Sequence, residues 1–234
     1  MKLSIVIPAY NEELRIENKI SSYYKFFNNK LSGDFEIIVV PNNCSDNTAI
    51  IVEKCSKKYK NLKYKTIPYY VGKGGAVLEG FRISEGDLVG FVDADESTNA
   101  QDYYNLYINL NNYDGIIASR SIKGAKINIE QPFIRRFVGA CFRYYVMFLF
   151  GFSYRDTQCG AKIFRKNVVK CLIKENYVKK WAFDIDLLYT CKRHNFKIRE
   201  FPTVWTDNAD SKLSPFKQSV EMALDALKLR IYHL

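Results

Sequence analysis

Short β-branched apolar runs alternate with helix-patterned stretches through residues 1–120, and each run ends in a polar cluster. That alternation limits the chain to an α/β architecture with a parallel sheet. Leu3 to Ile7 (LSIVI) reads as a buried strand ending at Pro8. Asn11, followed by Glu12 and Glu13, predicts a capped helix start, and the helix extends to about Asn29. Phe35 to Val40 predicts a second strand, and Asp46 opens a helix through Lys57. Leu62 to Thr66 is a weaker strand, Ala76 to Ser84 a helix led in by Gly72 to Gly75, and Asp87 to Val92 a further strand. Ligands on such sheets bind beyond the carboxyl ends of the strands. The polar clusters fall there: Tyr10-Asn11-Glu12, Asn42 to Asp46, Gly72-Lys73 and Asp93-Ala94-Asp95.

Residues 121–234 are different in character. Ile134 to Phe150 is aromatic and apolar with Arg135, Arg136 and Arg143 embedded, and Arg155-Asp156-Thr157-Gln158 follows it. Phe183 to His194 predicts a helix and Lys197 to Val204 a strand. Ser214-Pro215 predicts the start of a last helix, whose Val220, Ala223, Leu224, Leu227 and Ile231 share one face. No linker or repeat interrupts the chain. The expectation is one domain over 1–234, with a ligand-binding half (1–120) and a specialised second half (121–234).

Composition narrows the partners. Lys and Arg number 35 against 25 Asp and Glu, a net charge of +10. This favours an anionic partner, but the basic residues are dispersed and no nucleic-acid motif is present, so nucleic acid is not expected. Six cysteines lie at 44, 55, 141, 159, 171 and 191 without a CxxC or zinc-type spacing, which predicts reduced cytosolic thiols. The N-terminus turns acidic too soon for a signal peptide, and no apolar run reaches membrane-spanning length. The chain is expected to lie on a bilayer rather than cross it.

Asp93-Ala94-Asp95 offers two carboxylates at a strand end, the oxygen donors that Mg²⁺ takes together with substrate phosphates. The alternative is a solvated turn. Gly72-Lys73-Gly74-Gly75 before a helix suits a phosphate, although the P-loop spacing is absent. Arg135 and Arg136 beside aromatic residues suit an interfacial helix reaching acidic headgroups or a lipid phosphate. Asp156 reads equally as a helix cap or a reactive carboxylate.

These segments resemble a known family. Ser4 to Glu13 (SIVIPAYNEE), Ser45 to Thr48 (SDNT), Gly72 to Phe81 (GKGGAVLEGF) and Val92 to Ser97 (VDADES) are similar to inverting family 2 glycosyltransferases of the GT-A fold. Asp156 to Phe164 (DTQCGAKIF), Trp181 to Tyr189 (WAFDIDLLY) and Trp205 to Phe216 (WTDNADSKLSPF) resemble dolichyl-phosphate β-glucosyltransferases and related polyprenyl-phosphate glycosyltransferases. The resemblance implies a Rossmann-type nucleotide-binding sheet with helices on both faces plus interfacial helices. It implies transfer of a hexose, glucose favoured, from a nucleotide diphosphate sugar, UDP-sugar favoured, to a dolichyl or polyprenyl phosphate. It also implies Mg²⁺ or Mn²⁺ on Asp93 and Asp95, and a peripheral place on the cytoplasmic face of a membrane.

By the same resemblance the donor meets Pro8, Tyr10, Glu12, Asn42, Asp46, Gly72, Lys73 and Asp93. The acceptor phosphate meets Arg135, Arg136 and Lys212, and Asp156 and Asp95 are the catalytic carboxylates. Two positions depart from the family pattern. Pro41-Asn42-Asn43-Cys44 stands where Asp-Asp-Gly-Ser is usual, so an amide replaces the carboxylate that meets the base. An amide accepts from uracil or donates to cytosine, which leaves both bases open. Ser97 stands where mannosyl relatives carry a further metal ligand. The rival readings are a same-fold enzyme acting on a soluble glycan or protein, and a non-catalytic nucleotide-sugar-binding protein.

Overall fold

A computed structural model describes residues 1–128, 133–175, 182–206 and 215–233, with side chains described for these except 133–135 and 215–220. The strands are β1 (Leu3–Ala9), β2 (Phe35–Pro41), β3 (Leu62–Tyr64), β4 (Leu88–Val92), β5 (Gly115–Ser119), β6 (Lys126–Ile127), β7 (Ala161–Arg165), β8 (Ile198–Pro202) and β9 (Val204–Trp205). The helices are α1 (Ile16–Leu31), α2 (Thr48–Lys58), α3 (Gly72–Arg82), α4 (Ala100–Asn109), α5 (Phe133–Phe150), α6 (Lys166–Glu175), α7 (Phe183–Arg193) and α8 (Pro215–Tyr232).

Seven strands form one sheet in the order β3-β2-β1-β4-β7-β5-β8, and β6 pairs with β9 apart from it. Side chains of β1, β2 and β4 alternate between two apolar layers, as the pleat requires. Leu3, Ile5, Ile7, Ile37 and Val39 face the layer under α1, α2 and α4. Val6, Ile38, Val40, Val89 and Phe91 face the layer under α3, α6 and α7. Burial on both faces explains why these strands read as continuous apolar runs.

The parallel sheet expected from residues 1–120 is present, and one antiparallel strand joins it from the second half. β1, β2, β3 and β4 are parallel neighbours, and β5 pairs parallel with β8. β7 runs antiparallel between β4 and β5. Its sequence, AKIFR, is too short and too mixed to stand out from a loop.

Several boundaries also shift. Asn11 does not cap α1. It adopts φ 54°, and its side-chain oxygen accepts from the Ser45 backbone N–H at 2.8 Å, so the helix begins at Ile16 after Arg15. α2 begins at Thr48 rather than Asp46, and the Asp46 carboxylate accepts from the Thr48 N–H. β3 ends at Tyr64, and the predicted 197–204 strand divides into β8 and β9. α3 takes in its glycines, starting at Gly72. Gly72 itself has φ 73°, a conformation that favours glycine, and a Cβ at Gly74 would collide with Phe183. Among the described side chains of α8 the buried ones are Met222, Ala226 and Leu229, while Leu224, Leu227 and Ile231 of the predicted apolar face are exposed; the side chain of Val220 lies outside the described residues. Ser214 and Trp181 lie outside the described residues.

Among the described residues no helix is long and apolar enough to cross a membrane. α5 nevertheless carries exposed Phe137, Tyr144 and Phe148.

Candidate functional site

Strand order reverses at β1: β2 and β3 lie to one side and β4 to the other. The carboxyl ends of β1 and β4 therefore border a crevice. A cavity of about 300 Å³ opens there, lined by Pro8, Ala9, Tyr10, Glu12, Asn42, Tyr70, Lys73, Asp93, Ala94 and Asp95. Seven of these are residues the sequence singled out. Tyr10 and Tyr70 form its aromatic rim, with ring centres 6.2 Å apart.

Two predicted donor residues do not line this cavity. Asp46 accepts from the Glu13 N–H at 3.0 Å and the Thr48 N–H at 3.0 Å, which ties the loop after β1 to the start of α2. Gly72 sets the turn into α3. Asn42 is buried, and its side-chain oxygen accepts from the Val71 N–H at 2.9 Å. The amide thus anchors the segment that carries Tyr70.

Lys73 bridges two carboxylates, 2.8 Å from Asp93 Oδ1 and 3.5 Å from Asp184 Oδ2. Asp184 also pairs with Lys162, which is 0% exposed. Two carboxylates and two ammonium groups thus alternate from the cavity into the core, which compensates the buried charges. Burial disfavours the Lys73 ammonium, but Asp184 and Asp93 outweigh it and raise its pKa. Burial likewise opposes the Asp184 carboxylate, but Lys162 and Lys73 hold its pKa below the usual range. Asp93 goes the other way: burial and the neighbouring Asp95 raise its pKa despite Lys73. Burial also raises Glu12, against the pull of Arg15.

Asp95 has one oxygen fixed by Ser97, whose hydroxyl donates to Oδ1 at 2.6 Å. Lys19, only 2% exposed, donates to the backbone oxygens of Asp95 and Thr98 at 2.9 and 2.8 Å. Tyr23, one turn along α1, donates to the Thr98 oxygen at 3.0 Å. Two hard oxygen donors one residue apart, one carboxyl with its pKa raised by burial and like charge and both open to a cavity, fit a divalent cation. Gly160 is pressed against the Asp93 carboxylate, where a Cβ would collide with it, and the Asp93 N–H donates to the Gly160 oxygen at 2.9 Å.

The segment 156–160 leads from Asp93 to a second cavity of about 690 Å³. Arg120, Arg136, Arg143 and Arg155 line it, with Asp156, Phe137, Phe142 and Trp205 among the others. Asp156 is buried and grips Arg120 through two bonds: Nε to Oδ2 at 2.7 Å and Nη2 to Oδ1 at 3.0 Å. The Arg120 N–H adds a third at 2.9 Å. Burial would raise the Asp156 pKa, but the Arg120 charge and these bonds hold it below the usual range. The Arg120 guanidinium also lies over Trp205, 5.1 Å from the ring centre. Arg143 donates to the Ser121 hydroxyl at 3.1 Å.

Of the predicted acceptor residues, Arg136 lines this second cavity. Arg135 belongs to α5, with its side chain outside the described residues, and Lys212 lies outside them altogether. Sequence reasoning missed Lys19, Tyr70, Arg120, Lys162 and Asp184. A signal existed for two of them. Lys19 falls on the buried stripe Ile16, Ile20, Tyr23 and Phe27, and Asp184, with Asp186, places a carboxylate among the buried apolar residues at the start of α7.

Residues 4–173 match Glycosyl transferase family 2. A dolichyl-phosphate beta-glucosyltransferase of Dictyostelium discoideum is 31% identical, over 99% of this chain and 75% of the relative. Those of Drosophila melanogaster and Homo sapiens are 32% and 30% identical, each over 100% of this chain and 76% of the relative. Among solved structures, glucosyl-3-phosphoglycerate synthase from Mycobacterium tuberculosis, crystallised with Mn²⁺, UDP and glucosyl-3-phosphoglycerate, superposes with a TM-score of 0.73. Its identity is 18%, over 98% of this chain and 79% of that one. S. aureus TarS 1-349 gives 0.61 at 21% identity, over 97% of this chain and 65% of that one. At such identities the structures establish the GT-A fold, while the sequence match over most of its length places this chain in glycosyl transferase family 2.

Proposed function

We propose that this chain transfers glucose from UDP-glucose to dolichyl or another polyprenyl phosphate, with inversion at the sugar. The observation that carries the reading is the pairing of two neighbouring cavities with different chemistry. One holds Asp93, Asp95 and Lys73 under an aromatic rim, and the other is lined by four arginines and by aromatic residues of α5. The first suits a nucleotide diphosphate, and the second suits an anionic headgroup entering from an apolar phase. The names of the relatives supply dolichyl phosphate and glucose, and UDP follows from the solved neighbour. On this reading residues 1–120 form the donor half and 121–234 the acceptor half of one domain.

Asp93 and Asp95 would hold Mg²⁺ or Mn²⁺, which when bound stabilises charge on the departing diphosphate. Lys73 and the start of α3 add positive potential on the same side. The acceptor oxygen needs little activation, because a phosphate monoester has a second pKa of about 6. Arg120, Arg136, Arg143 and Arg155 would fix it in line, where positioning contributes several kcal/mol to rate. Asp156 is committed to Arg120 and held ionised, so it orients that arginine rather than taking a proton. The exposed aromatic residues of α5 would rest on the cytoplasmic surface of a membrane, helped by the +10 charge.

The test is transfer from a panel of nucleotide sugars to dolichyl phosphate with Mg²⁺ or Mn²⁺, with Asp95→Asn as control. Glucolipid from UDP-glucose, formed only by the intact protein, is expected. Donor hydrolysis or transfer to a water-soluble acceptor, without lipid product, would overturn the assignment.

A further inference from the structure

A second group of ligating side chains converges on the molecule away from both cavities. Cys171 and Glu175 lie one turn apart on α6, and His194 follows the last turn of α7. Cys171 Sγ is 3.9 Å from Glu175 Oε1, and His194 Nε2 is 2.9 Å from Glu175 Oε2. The sulfur, imidazole and carboxylate atoms all fall within 4.8 Å of one another. Neither sequence spacing nor composition announces such a group, because the histidine comes from another helix. We propose that Cys171, Glu175 and His194 form a three-ligand site for Zn²⁺ that staples α6 to α7, with a fourth position open to water.

Three arguments favour the ion over a plain Glu–His pair. Zinc bonds of about 2.3 Å to sulfur and about 2.0 Å to nitrogen or oxygen, set tetrahedrally, put ligand atoms roughly 3.3–3.6 Å apart. The separations of 3.9 and 2.9 Å, one to each Glu175 oxygen, bracket that range, so small side-chain rotations bring one carboxylate oxygen, the sulfur and the imidazole nitrogen around an ion. The donor set mixes a soft thiolate with imidazole and carboxylate, which selects zinc over Mg²⁺ or Ca²⁺. Finally, the charges balance: a thiolate and a carboxylate neutralise the dication, with the imidazole neutral. Burial and the Glu175 charge raise the Cys171 pKa in the metal-free site, so loading releases the thiol proton to solvent.

The surroundings accommodate the exchange. Arg193 Nη1 stands 3.8 Å from Glu175 Oε2 and 3.0 Å from His233 Nδ1, so it retains the His233 contact when zinc takes the carboxylate. The His194 ring stacks on Phe196, with centres 5.9 Å apart, which fixes its plane. Only Cys171 and Glu175 are partly covered, and His194 is exposed, so the ion has an entry path. Asp184 at the start of α7 lies beside Lys73, and the helix then runs about 15 Å to Arg193. The site is thus separate from Asp93 and Asp95, and it does not rest on the proposed glucosyl transfer.

The experiment uses the full chain after chelator treatment. Zinc is titrated against a chromophoric competitor, and Co²⁺ is added in parallel as a spectroscopic probe. One tight equivalent of zinc is expected, with proton release and a thiolate-to-cobalt charge-transfer band of tetrahedral type. Cys171→Ser should abolish the band. Cys171→Ser and His194→Ala should each weaken zinc by more than the roughly 10–100-fold typical of losing an outer-shell partner. Asp95→Asn should leave the cobalt band unchanged. Metal-free circular dichroism checks that each variant is folded. Absence of a thiolate band, or a band that survives in Cys171→Ser, would overturn the proposal.

Discussion

Asp156 and Arg120 illustrate how a buried ion pair can serve a site without being its base. The pair is gripped through three hydrogen bonds, so removing one charge strands the other. Asp156→Asn should cost about 3 kcal/mol in urea unfolding, the lower end for breaking a buried pair. The sign of its pH dependence follows from the depressed pKa. Its stabilisation is complete above the unfolded value of about 3.9 and is lost as pH falls through the lower folded value. Stability measured from pH 6 downward should therefore fall less steeply below about pH 4 in the variant than in the wild type. If both proteins lose stability at the same rate there, Asp156 is not the group responsible. Gly160 makes a second residue-scale case. A methyl there would displace the Asp93 carboxylate, so Gly160→Ala should raise the Mn²⁺ concentration needed for half-maximal transfer. An unchanged Mn²⁺ requirement would mean that the carboxylate has another place to sit.

At the scale of elements, α1 acts as a clamp on the loop after β4. Lys19 and Tyr23 hold the backbone oxygens of Asp95, Thr98 and Asn99 from one helix face. Lys19→Met leaves the Asp95 carbonyl without this donor and Thr98 with Tyr23 alone, and a loss of about 1–3 kcal/mol is expected in thermal or urea unfolding. Lys19→Arg should recover part of it, since the charge and donors return. Helices α5 and α8 show the opposite property, apolar residues left outward. Phe148 is 90% exposed, and Leu224, Leu227 and Ile231 are exposed on α8. Burying one such side chain is worth about 1.5–3 kcal/mol. Phe148→Ser should therefore weaken vesicle binding about tenfold or more in flotation while leaving the melting temperature unchanged. Much of this was legible in sequence. The strand ends from Pro8 to Asp95 declared themselves because an apolar run followed by polar residues carries its own signal. The α8 face also declared itself, but periodicity could not say whether Leu224 and Leu227 faced the core or the outside. Lys162 and Arg120 gave no signal, because their partners Asp184 and Asp156 are supplied by distant parts of the chain.

For the whole molecule, net charge sets the conditions of any membrane encounter. A chain of +10 should bind anionic vesicles more weakly as salt rises, since exposed charges are screened beyond about 8 Å at physiological ionic strength. Flotation at two salt concentrations checks this, and salt-independent binding would point to the aromatic residues alone. The placement of β7 has a different consequence, for synthesis. Strand β4 is complete by Val92 and β5 by Ser119, yet the strand that joins them ends at Arg165. While the ribosome is still extending the chain through α5, both strands face the cell with open edges, and exposed aromatic residues emerge beside them. Open edges invite pairing with other chains. A nascent chain of this kind therefore depends on rapid completion or on a chaperone, and a fragment ending at residue 158 should be recovered as aggregate where the full chain is soluble.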